Sequence, residues 1–208
     1  MYLKSIKAVG FKSFADKIEL DIKDGITCIV GPNGSGKSNI LDAVKWVLGE
    51  QSVKSLRGSG SMSDVIFNGS KSRSPMSRAS VALTIDNSNH YLKSEFNEIE
   101  VKRVVYRSGE NEYYLNNTKV RLKDITDLFI DSGASRDAYN IISQGTVEDI
   151  VSSKPEARRV IIEEAAGVLK YKKHKEESLR KLEKTKDNLN TINLLISELE
   201  TSLEPLRI

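Results

Sequence analysis

The feature that most constrains this chain is the stretch Gly31-Pro32-Asn33-Gly34-Ser35-Gly36-Lys37-Ser38, which satisfies the phosphate-binding pattern G-x-x-x-x-G-K-[ST]. Such a loop needs a particular setting: a strand that delivers the chain, and a helix whose first N–H groups point at the anion. Both flanks match. Ile26-Thr27-Cys28-Ile29-Val30 is a short apolar run between Gly25 and Gly31, as expected of a strand buried on both faces. After the loop, Ile40, Leu41, Val44, Val47 and Leu48 recur at helical spacing, with Gly49 placed to end the helix. The glycines would let the backbone close on a phosphate. Lys37 would reach the β- and γ-phosphates and the Ser38 hydroxyl would ligate Mg²⁺.

The rest of the first 130 residues reads mainly as β-structure. Ile18, Leu20 and Ile22 alternate with charges, as do Val81, Leu83 and Ile85, and Ile99, Val101, Arg103 and Val105. Asn116-Asn117 sits where a hairpin would turn. Residues 57 to 78 are polar and Ser-rich and read as a long loop, interrupted by the apolar Val65-Ile66-Phe67. Asp124 is placed to cap a short helix through Phe129, and Pro155 suits the first turn of another. No apolar run approaches the ~20 residues that span a bilayer, and the N-terminus has no signal-peptide layout. Cys28 is the only cysteine, which excludes an internal disulfide and a multi-Cys zinc site. Net charge is +3, so any nucleic-acid contact has to rest on local clusters.

From residue 168 onward the composition changes. Glycine stops at Gly167 and charge becomes dense, while Leu182, Thr185, Leu189, Ile192, Ile196, Leu199, Leu203 and Leu206 recur by threes and fours. This is a heptad seam of about three and a half repeats, with Leu179 and Leu195 flanking it. It reads as a coiled-coil arm, the alternative being an amphipathic helix packed on the domain. The expected organisation is a lobe over 1–167 and an outgoing helix over 168–208.

The hydrolytic half of a P-loop site is missing. Leu128-Phe129-Ile130-Asp131 is the nearest approach to the acidic metal-holding motif, but Ser132-Gly133 follows it without an adjacent acid. The residues by themselves leave open an autonomous small NTPase with a dimerising helix.

Taken together, several stretches resemble the N-terminal head segment of the bacterial SMC (structural maintenance of chromosomes) family. They are Gly10-Phe11-Lys12-Ser13-Phe14, the loop from Gly31 to Asn39, Trp46 to Gln51, Ser55-Leu56-Arg57-Gly58, Ile142-Ser143-Gln144-Gly145 and Glu163-Glu164-Ala165-Ala166-Gly167. The resemblance runs over essentially the whole chain and implies half of an α/β, ABC-type ATPase head, a mixed sheet around a P-loop helix with a protruding coiled-coil helix. The signature and acidic motifs would lie in a C-terminal half of the same chain. A Rad50-like or RecN-like repair head is the alternative within the superfamily.

The resemblance also implies roles. Pro32, Asn33, Gly34, Ser35, Gly36, Lys37, Ser38 and Asn39 would surround the triphosphate of ATP. Gln144 would contact Mg²⁺ and the attacking water, and Arg57 would approach the phosphates. Lys12 and Ser13 would lie near the phosphates, and Asp64 would belong to the region flanking the adenine. The run Gly58 to Ser63 departs from the family by its length and serine content. Implied partners are the C-terminal half, a second head, a kleisin subunit at the neck and duplex DNA, in the cytoplasm on the nucleoid. Lys119, Arg121 and Lys123 alternate as along one strand, which would place them on one DNA-facing side, or simply on a solvated face.

Overall fold

A computed structural model describes residues 1–56, 60–129, 141–142, 148, 151–152, 155–165, 168–203 and 205. Six strands form one sheet in the order β2-β1-β3-β4-β5-β6: β1 Tyr2–Val9, β2 Ile18–Asp21, β3 Arg78–Asp86, β4 Glu98–Tyr106, β5 Asn111–Leu115 and β6 Thr118–Val120. Every described pairing is antiparallel. The period-2 patterns read from sequence set the faces. Ile6, Ala8, Val81, Leu83, Ile85, Ile99, Val101 and Val105 are buried on one side. Lys7 and Glu19, which are cross-strand neighbours, form an ion pair at 3.0 Å on the other.

Helix α1, Lys37–Val47, contributes Ala43, Trp46 and Val47 to the core. It ends as the sequence predicts. Gly49 has φ +111°, its N–H donates to Trp46 O, and Glu50 N–H donates to Lys45 O, the paired bonds of a glycine-terminated helix. A 3₁₀ turn, Met62–Val65, interrupts the Ser-rich loop and brings Val65 and Ile66 into the core. Asn116 and Asn117 form the hairpin turn with φ +45° and +65°, and Asn116 Oδ1 accepts the Glu100 N–H at 2.7 Å.

Two expectations are corrected. Ile26–Val30 is not a strand, and it is exposed: 96% at Ile26, 88% at Val30, with Cys28 open as well. A run apolar in both phases holds as a strand only where neighbours cover both faces. Among the described residues none does. Nor do Lys119, Arg121 and Lys123 share a strand. β6 stops at Val120 because Asp124 Oδ2 accepts the Arg121 N–H at 2.8 Å, which starts helix α2, Leu122–Phe129, with Ile125 and Phe129 buried beneath it.

The chain divides into two compact units, Met1–Ile162 and Glu163–Ile208. Helix α3, Pro155–Ala165, begins on its proline. Helix α4, Leu169–Leu203, is 35 residues long, and Leu182, Leu189, Ile192, Ile196, Leu199 and Leu203 of the seam are exposed along it. Leu206 lies outside the described residues. No described helix is long and apolar enough to cross a membrane.

Candidate nucleotide site

The loop before α1 has the backbone that phosphate binding needs. Gly34 and Gly36 adopt φ +83° and +94°, a region closed to most side chains. Gly36 is the N-cap and offers no side chain, and the first turn of α1 has no acidic residue. The first N–H groups and the positive end of the helix dipole are thus left for an anion. Lys37 Nζ folds back over the loop and donates to Gly31 O and Pro32 O, both at 2.7 Å. A side chain poised over its own loop has only a short swing to a bound phosphate. Ser38 is exposed at the same helix end.

The turn Phe11–Phe14 packs beside this loop. Ser13 Oγ accepts from Asn39 Nδ2 at 2.7 Å, and a Cβ on Gly36 would come within 2.9 Å of that oxygen and 3.1 Å of the Phe14 ring. Gly36 is therefore required twice, for its φ and for close approach. Ser13 lies beside the glycine loop. Lys12 points elsewhere: its Nζ donates to Asp42 Oδ2 at 2.5 Å and to Leu56 O. Asp64 closes a capping box, its carboxylate accepting from Gly60 N at 2.8 Å and Ser61 N at 3.1 Å. Lys12, Asn39 and Asp64 nevertheless border one cavity of about 360 Å³ with Ile66 and Asn68. Arg57, Gln144 and the Ile130-Asp131 pair lie outside the described residues, as do Ala166 and Gly167 of the 163–167 motif.

Composition reasoning missed the group that anchors the far end of α1. Arg103, on β4, is 1% exposed. Its Nη1 donates to Trp46 O and Glu50 O, each at 2.8 Å, and its Nη2 to Asn111 Oδ1 at 3.1 Å. The guanidinium lies 4.7 Å from the Trp46 ring and 5.0 Å from the Tyr113 ring. Burial pushes its pKa down to about 10, which still leaves it charged at pH 7. The cation therefore sits on the carbonyl end of the helix that presents Lys37 at its other end. Trp46 also stacks near Phe11, at 5.3 Å, and donates to Met62 Sδ at 3.3 Å.

Of the three basic residues expected on DNA, Lys119 is held by Glu112 at 2.6 Å. The Lys119 ammonium, with the Tyr114 and Tyr106 hydroxyls, brings the Glu112 carboxyl down to about 2. Arg121 and Lys123 are exposed, on the turn into α2 and on its first turn. Among the described residues no group of three or more His, Cys, Asp or Glu could hold a metal ion. Ser38 is the described side chain that fits a magnesium ion shared with a nucleotide.

Residues 2–203 match the model of the RecF/RecN/SMC N-terminal domain family. The chain is 57% identical over its whole length to the Chromosome partition protein Smc of Bacillus subtilis, spanning 18% of that protein. Among solved structures it is similar to one from a study of ATP-driven dimerization and DNA-stimulated activation of SMC ATPases. There the identity is 35% and the TM-score 0.72, covering 79% of this chain and 99% of that one. It is also similar to an Smc head domain with an extended coiled coil, bound to the C-terminal domain of ScpA from Pyrococcus furiosus. The identity there is 36% and the TM-score 0.76, over 96% of this chain and 50% of that one.

Proposed function

The chain belongs to the RecF/RecN/SMC N-terminal domain family, and from that premise we propose that it is the ATP-binding half of a chromosome-organising SMC ATPase head. The observation that carries this is the uncapped, acid-free N-terminus of α1 behind a glycine loop at positive φ, with Lys37 folded over it. ATP would be held by residues 32–39, with Lys37 on the β- and γ-phosphates and Ser38 on Mg²⁺. The metal would neutralise developing charge on the phosphates. Gln144 would orient water and Arg57 would approach the phosphates. The identity to a chromosome partition protein favours this over the repair-head reading.

On this reading catalysis would need the C-terminal half of the same chain, and then a second head to sandwich the nucleotide; the exposed Ile26–Val30 run supports it. The apolar row of α4 is offered for a returning helix and, at the neck, for a kleisin of the ScpA kind. Lys119, Arg121 and Lys123 are the DNA candidates, Lys119 in an exposed pair with Glu112. The protein would act in the cytoplasm, on the nucleoid.

The test compares the isolated chain with the chain joined to its C-terminal half. Steady-state ATP turnover is expected only from the joined head and is expected to be lost in Lys37→Ala. Equal turnover by the isolated chain, indifferent to Lys37→Ala, would refute the reading.

A further inference from the structure

We propose that Lys12 is a positioning residue and not a phosphate ligand: paired with Asp42, it ties the backbone at Leu56 to the P-loop helix. The inference rests on the ATPase reading above for its kinetic consequence, but its geometry stands apart from it. The Lys12–Asp42 pair is withdrawn from solvent, with side-chain exposures of 13% and 8%. Asp42 lies midway along α1, and the second Lys12 donation goes to the carbonyl of Leu56, itself 0% exposed. Leu56 is the residue before Arg57, so the ammonium joins the helix that presents Lys37 to the root of the segment that continues into Arg57.

Three further observations make this a built arrangement. Lys12 has φ +50°, a backbone state that a lysine adopts only when its surroundings enforce it. The enforcement is visible: its N–H donates to Val65 O at 2.6 Å, and Phe11 beside it is fully buried against Trp46. The same turn has a separate group facing the phosphate loop, since Ser13 Oγ contacts Asn39 and crowds Gly36. The two neighbours divide the work: Ser13 supports the loop, while Lys12 faces inward. Swinging Lys12 toward a phosphate would break a pair sequestered from water, and a lysine outside that pair would serve the phosphate at lower cost.

Two readouts test this in the full-length protein that carries the segment, using Lys12→Met, Asp42→Asn, the double variant and Lys12→Arg. The first is independent of ATP: limited trypsin digestion, following cleavage after Arg57 relative to cleavage after Arg73 and Arg107. Lys12→Met and Asp42→Asn are each expected to speed cleavage at Arg57 about tenfold, with no further gain in the double variant and recovery in Lys12→Arg. Unchanged cleavage at Arg57, or acceleration shared equally by the other two sites, would overturn the tether. The second readout separates binding from turnover. Both single variants are expected to lower kcat about tenfold while nucleotide Kd stays within threefold of wild type. A tenfold loss of nucleotide affinity in Lys12→Met, absent from Asp42→Asn, would return Lys12 to the phosphates. If wild type turns over no ATP, the ATPase reading fails while the trypsin comparison still decides the tether.

Discussion

Replacing Arg103 by methionine asks whether the buried cation holds the end of α1 or is only tolerated there. Methionine fills much of the same space and donates nothing. Three acceptors, Trp46 O, Glu50 O and Asn111 Oδ1, lose a charged donor, and such bonds contribute ~1.5–3 kcal/mol each. Two ring contacts, at 4.7 and 5.0 Å, contribute ~0.5–2 kcal/mol each. Opposing this, burial makes the cation costly, with its pKa brought down to about 10, and relief of that cost, on the order of 3 kcal/mol, favours the variant. The Trp46 carbonyl also keeps its bond from the Gly49 N–H, and the methionine side chain gains some apolar burial. A net loss of about 3 kcal/mol is expected, which for the Met1–Ile162 unit lowers Tm by about 6–12 °C. At pH 7 the guanidinium is protonated folded and unfolded, so the loss does not vary with pH near neutrality. Arg103→Lys, which retains the charge but not the fork, should lose at least as much. Urea and thermal unfolding of the two variants measure this. If Arg103→Met unfolds within ~0.5 kcal/mol of wild type, the site is one where a well-packed apolar residue replaces a buried charge without loss, and the reasoning fails.

Two further outcomes are expected. Glu112 titrates at about 2 when folded against an ordinary 4.5, so its contribution is present above about pH 4.5 and is lost as the pH falls from there toward 2. Glu112→Gln should flatten the acid limb of stability over that window, and parallel urea midpoints for the two proteins between pH 2.5 and 5 would contradict it. Asn117 holds φ +65° in a two-residue hairpin turn, so Asn117→Gly should raise stability by ~0.5 kcal/mol in the same urea assay, leaving the Asn116–Glu100 bond in place.

The sequence was most legible where local chemistry decides the outcome. The alternating runs became strands, Gly49 ended its helix, Asn116-Asn117 turned the hairpin and Pro155 opened α3. It misled where the outcome depends on what lies across the chain. Ile26–Val30 has the pattern of a buried strand but no neighbours among the described residues. Lys119 to Lys123 alternated like a strand, yet one carboxylate, Asp124, was enough to start a helix inside the run. At the site, the loop residues could be read from their spacing, whereas the direction of Lys12 could not. It is fixed by Asp42, 30 positions away, and by a backbone carbonyl, which no spacing reveals. Arg103 did leave a trace: it occupies the inward phase of an otherwise apolar alternation, where an arginine has to find acceptors.

The open Ile26–Val30 run also has a consequence during synthesis. On the proposed reading its covering strands come from the far end of a polypeptide the size of the B. subtilis relative, of which these 208 residues are 18%. At ~5–20 residues per second the remaining chain, about 950 residues, takes about one to three minutes to emerge. For that interval every nascent molecule carries an uncharged, β-prone segment in water, and on a polysome many such segments wait side by side. On that reading the stretch that delivers the nucleotide loop is among the first parts of the head to be made and among the last to be covered.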